Sequence, residues 1–217
     1  METEEKVYQS YDEYFEEYSK LLPRKGKKLK VLPESYTAVE LTTTGLTPDI
    51  CQIVEYGAIK IRDGKEIDSF HTYAKMQQYF AEGIPGNTQV DFQSVEDSFE
   101  EKTGFEIGKL ADAPDADEAL RQFMAFVGSD ALLVYDGGLI SSFLFETAVK
   151  ALHISFENDW LDCMALAKKV LKKQLPHYKL KNIAEYYSMP DAAPNDILAR
   201  CRLIDKCCGK LVETLKV

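Results

Sequence analysis

The chain has 217 residues, 45% of them hydrophobic, enough for one sizeable core with an extension. Its formal net charge of −10 argues against a broadly basic surface that grips phosphate backbones, while leaving room for a local basic patch. The five cysteines (Cys51, Cys163, Cys201, Cys207, Cys208) form no CxxC pair and are odd in number, which excludes a zinc knuckle or a disulfide framework. They read as small core residues in a reducing cytoplasm. No apolar run approaches the ~20 residues that span a bilayer, and the acidic start METEEKVYQS lacks the order of a signal peptide.

In chain order, Val7, Tyr11, Tyr14, Phe15, Tyr18, Leu21 and Leu22 recur at spacings of three and four, which predicts one amphipathic helix. Its stripe is expected to dock on the chain's own core, on a second copy or on a protein partner. Pro23 and the basic run RKGKKLK (Arg24 to Lys30) end it, the run reading as a solvated linker. The expected division is 1–33 as helix and linker and 34–217 as the main domain.

The main domain opens on three strands. YTAVEL is the first, ICQIVEYGAIKIR the second, and a DGK turn at Asp63 leads into EIDSFHTYAK as the third. The hairpin makes this part of the sheet antiparallel. Residues 76–104 are the least regular. The pattern then alternates. DAPDADEALRQFMAFVG is a helix stopped at Gly128, ALLVY a short buried strand, LISSFLFETAVKAL a helix and ISFENDW a fifth strand. DCMALAKKVLKKQL follows as a helix capped by Asp162, then YKLKNIAEYYSM, then a last helix with Ile197, Leu198, Cys201, Ile204, Cys208, Leu211 and Leu215 at helical spacing. Together these predict an α/β fold, a five-stranded mixed sheet with helices on its faces.

Several phrases, in this order, resemble the DnaQ-like 3′–5′ exonucleases, the family of the proofreading ε subunits of bacterial DNA polymerase III. ELTTTG (Glu40 to Gly45) lies over the family's Asp-x-Glu-Thr-Thr-Gly strand end, and QIVEYGAIKI with DGK over its second strand. KTGF is similar to its Thr-Gly-Ile segment, LLVYDGGLISSFL to its LVAHNAxFDxxFL strand and helix, and WLDCMALAKKV and HYKLKNIAEYY to later helices. PNDILARCRLIDKCCGKL lies over its last motif. The resemblance covers about residues 35–215 and implies a ribonuclease-H-like fold.

It also implies a chemistry. The family hydrolyses phosphodiesters with two divalent cations, Mg or Mn, held by four acids and assisted by a histidine base. Here the acid positions fall on Glu40, Thr42, Ile140 and Arg200, and the base position on Asn195. A family site carries about −4 before metal binds, whereas this set sums to about zero. A guanidinium would repel a cation at ~4 Å by several kcal/mol at an effective dielectric of ~20. The two-metal site is therefore expected to be lost, with no cofactor. A register shifted by four residues would instead place Asp196 at the last acid position.

Three readings follow. In the first, a non-catalytic binding domain, Arg200 pairs with Glu40 and Ile140 fills space, and the N-terminal helix meets a protein partner or a second copy. In the second, the chain binds single-stranded nucleic acid or nucleotide weakly without cleaving it, using Arg200 with Lys25, Lys27 and Lys28. In the third, a hydrolase, Glu40, Asp136 and Asp162 hold one metal, although Asp136 and Asp162 also suit a turn and a helix cap. Candidate ligand contacts are Glu40, Thr43, Asp136 and Arg200. Glu55 is expected to make a structural hydrogen bond, His71 to be a half-buried strand residue, His153 and His177 to be exposed or capping, and Trp160 to anchor the core.

Overall fold

The computed structural model describes residues 22–48, 51–76, 99–101, 103–193 and 195–215. Strands β1 (Ser35–Thr43), β2 (Ile53–Arg62), β3 (Lys65–Tyr73), β4 (Leu132–Val134) and β5 (Trp160–Asp162) form one sheet in the order β3-β2-β1-β4-β5. Helices are α1 (Ala116–Val127), α2 (Gly137–Thr147), α3 (Cys163–Leu171), α4 (Leu180–Tyr186) and α5 (Ile197–Leu215). β1 runs antiparallel to β2 and parallel to β4, which is parallel to β5. This is the expected mixed sheet with its first three strands antiparallel.

β1 and β2 are buried along almost their whole length because both faces of the sheet are covered. Period-two alternation sends neighbours to opposite sides. Ala38, Ile59 and Ile61 pack with Leu166, Ile183 and Ile204 of α3, α4 and α5. Val39, Tyr56 and Ala58 pack with Phe123 of α1 and Phe143 of α2. The β2–β3 turn places Asp63 and Gly64 at φ 51° and 70°, the left-handed pair that an Asp-Gly hairpin supplies.

α5 crosses β1 and β2 closely. A Cβ at Gly57 would lie 2.7 Å from Ile197 Cγ1, so the missing side chain lets the first turn of α5 settle on the sheet. Gly57 is the cross-strand partner of Glu40. The glycine thereby fixes how closely that turn approaches β1's functional end.

Two expectations need correction. The fifth strand lies at Trp160–Asp162, not over 154–160. Residues 156–160 are instead held from the other side by the basic run, which is not a solvated linker. Gly26 N–H donates to Phe156 O, Phe156 N–H to Arg24 O, Trp160 N–H to Lys27 O and Leu29 N–H to Trp160 O, at 2.7–3.0 Å. A Cβ on Gly26 would sit 2.0 Å from Asn158 O. The run covers the outer edge of β5, which would otherwise present unpaired backbone. The N-terminal helix expected over residues 1–22 lies outside the described residues but for Leu22, as does most of the irregular stretch 76–104.

Candidate functional site

β1 ends beside the start of α2, and α5 begins over it. There a cleft of about 200 Å³ is lined by Glu40, Leu41, Thr42, Glu55, Thr103, Phe105, Asn195, Ile197 and Arg200. Four of the five positions carried over from the exonuclease motifs meet in it: Glu40, Thr42, Asn195 and Arg200. Ile140 does not line it. At 5% exposure, Ile140 belongs to the apolar cluster with Val134, Phe143 and Leu144.

Glu40 is 7% exposed, and Arg200 Nη2 donates to its Oε2 at 2.9 Å across 160 residues of sequence. The Leu41 N–H adds a second hydrogen bond at 3.2 Å. Burial pushes the Glu40 carboxyl above its ordinary pKa. The Arg200 charge and hydrogen bond oppose this without cancelling it, and the charge of Asp136 adds to the rise. Arg200 keeps 43% of its side chain exposed, and the bond to Glu40 is the one its guanidinium makes among the described residues.

A second buried glutamate stands one strand over. Glu55 accepts from Thr42 Oγ1 at 2.6 Å on one oxygen and from His71 Nε2 at 2.9 Å on the other. Thr42 and Glu55 are direct cross-strand partners, so the bond follows from register. The structural role expected of Glu55 is what the geometry gives. His71 is an edge-strand residue with 35% of its side chain exposed and its ring turned to Glu55.

The remaining candidates have local partners. Asp136 accepts from Leu139 N as the cap of α2, and Asp162 from Ala165 N at 2.8 Å as the cap of α3. Asp162 also binds Lys28 at 3.0 Å. Thr43 donates to Gly45 O within the turn after β1. Asp196 accepts from Ala199 N at 2.8 Å and caps α5, so in this register Arg200, one turn further on, faces the cleft. Lys25 donates to Ser142 and lies over the rings of Phe145 and Trp160, while Arg24 pairs with Glu157. Trp160 packs, half-buried, against the core. His153 and His177 are exposed. Cys163, Cys201, Cys207 and Cys208 are buried. Among the described residues, no three His, Cys, Asp or Glu side chains cluster as metal ligands do, and no helix is long and apolar enough to cross a membrane.

Residue reading missed Thr103, Phe105 and Ile197 as cleft walls, although KTGF had been noted for its resemblance. It also missed Tyr135. That hydroxyl donates to Tyr178 O, and the ring feels the charges of both Glu40 and Arg200.

No family profile matches the chain. It is similar to DNA polymerase III PolC-type of Caldanaerobacter subterraneus subsp. tengcongensis, 27% identical over 192 residues, 87% of this chain. The PolC-type polymerase of Thermotoga petrophila is 24% identical over 182 residues. The chain spans about 12% of the length of either relative. Among solved structures, the nuclease domain of 3′hExo, a DEDDh family member, bound to rAMP, superposes with TM-score 0.61 at 16% identity, covering 83% of this chain and 92% of that one. E. coli Exonuclease I in complex with a dA16 oligonucleotide gives 0.63 at 13% identity, covering 84% of this chain and 41% of that one. The solved structures show a shared fold, and the polymerase relatives show a sequence likeness over most of this chain, so it is similar to the DnaQ-like exonucleases in both.

Proposed function

We propose that this chain is a non-catalytic DnaQ-like domain that works by binding. Its two-metal centre has been replaced by an ion pair. The supporting observation is the 2.9 Å contact of Arg200 with Glu40 at two positions where the family keeps acids. Two divalent cations need several anionic oxygens within coordination distance. Here Thr42 offers a hydroxyl already donated to Glu55, Ile140 offers carbon, and Arg200 offers positive charge. Asn195 cannot take a proton from water near neutral pH. The residues present do not fit the metals, and no hydrolytic step is derived through them.

The rearranged hydrolase has less support. Asp136 and Asp162 cap helices, and Lys28 neutralises Asp162. Binding of single-stranded nucleic acid without cleavage is the second reading. It is favoured by the half-exposed Arg200 guanidinium in the cleft and by relatives solved with nucleic acid. Incubating the chain with Mg²⁺ or Mn²⁺ and end-labelled single strands tests the main reading. The expected result is intact substrate. Shortening that disappears in Glu40→Gln would restore the enzyme reading.

A further inference from the structure

We infer that the lysines of residues 168–181 form a docking surface for the phosphate backbone of single-stranded nucleic acid. The inference builds on the binding-domain reading and places the binding outside the cleft. Residues 163–184 hold six lysines (Lys168, Lys169, Lys172, Lys173, Lys179, Lys181) and neither aspartate nor glutamate, in a chain whose net charge is −10. All six are exposed. None has an acidic partner among the described residues, in contrast to Arg24 and Lys28 of the other basic run, which are paired.

Geometry adds three points. Lys168 and Lys169 lie in the last turn of α3, and Lys172 and Lys173 follow directly beyond its end at Leu171, so four ammonium groups are carried at one helix terminus. Lys172 holds φ 47°, a left-handed position where glycine is the ordinary occupant, so a charged side chain stands where the backbone favours none. Tyr186, 43% exposed, is anchored through its hydroxyl to Gln174 in the middle of the segment and offers a ring face for a base.

Other anionic partners fit less well. A membrane surface needs apolar side chains to insert, and no large exposed hydrophobic lies within 168–181. An acidic protein would need a packed contact core, from which lysine is depleted. Repeated, solvated ammonium groups suit a flexible polyphosphate.

The test uses the whole chain and fluorescence anisotropy with a labelled oligodeoxythymidine of about 20 nucleotides, without divalent metal, across a salt series. The expected result is binding whose log–log salt slope is about −3. Replacing Lys168, Lys169, Lys172 and Lys173 by Gln should weaken it at least about tenfold and flatten the slope by about 2–3. Lys172→Gly should keep or raise the melting temperature while weakening binding about threefold, which separates charge from structure. Arg24→Gln, on the paired run, should change nothing. No binding at low salt, equal affinity in the quadruple variant, or tighter binding of polyglutamate or of phosphatidylserine vesicles would overturn the proposal. The non-catalytic reading fails separately, by metal uptake or cleavage, and either result would leave this surface standing.

Discussion

The two ends of β1 each carry a carboxylate paired with an arginine, yet the pairs differ in kind. At the N-terminal end, Asp130 receives two bonds of 2.7 Å from Arg62 and one of 2.6 Å from the buried Thr37 hydroxyl. Burial would raise the Asp130 pKa, but these bonds outweigh it and hold the carboxyl below its ordinary value. At the C-terminal end, Glu40 has one bond from Arg200, and burial wins. The first pair is worth its charges to the fold. The second is a carboxylate that the fold tolerates, left where the family keeps its chemistry.

Changes at the two ends should therefore differ in size and in pH dependence. The largest effect is expected from restoring the family's acid at Ile140. Ile140→Asp buries an unpaired charge among Val134, Phe143 and Leu144 and should cost about 4 kcal/mol by urea unfolding. A cost below about 1 kcal/mol would mean that the site still accommodates the acid. Next is Asp130→Ala, which orphans Arg62 and the Thr37 hydroxyl and should cost about 3 kcal/mol.

Arg200→Ala should cost less, about 2 kcal/mol at pH 7, because Arg200 is half-exposed and Glu40 can take a proton instead. That loss should shrink as pH falls. The smallest effect is expected from Glu40→Gln, within about 1 kcal/mol of the parent at pH 7. Its pH profile carries the sign. Because folding raises the Glu40 pKa, its contribution is fully present below the unfolded value of about 4.3 and is lost as pH rises through the folded one. The variant should therefore gain on the parent between pH 4 and 7. Asp130 runs the other way, its contribution being lost as pH falls through its depressed folded value. Unfolding curves over pH 4–7 check Glu40, and curves extended below about pH 4 check Asp130. Parallel profiles for parent and Glu40→Gln would erase the contrast between the two ends.

Much of the fold was legible because the signals were local. β1 and β2 stand out by their β-branched and aromatic residues, Asp63-Gly64 marks the hairpin, and α5 keeps its apolar spacing for five turns. The position of β5 was not legible, since residues 156–160 are shaped by backbone bonds to Arg24, Gly26, Lys27 and Leu29, 130 or more positions earlier. The Glu40–Arg200 contact could be anticipated only through the resemblance, because nothing local joins residues 160 apart. The two basic segments read alike by composition. What divides them is tertiary: Glu157 and Asp162 lie beside the first, and no described acid pairs with the second. By spacing alone the lysines of 168–173 are the end of a helix, and no local signal tells whether an acid faces them.

The central claim is that the end of β1 no longer holds paired divalent cations. Titrating the whole chain with Mn²⁺ by calorimetry measures this most directly. The account predicts no saturable uptake for the parent chain and none changed by Glu40→Gln. Two equivalents bound, with that substitution abolishing them, would contradict it.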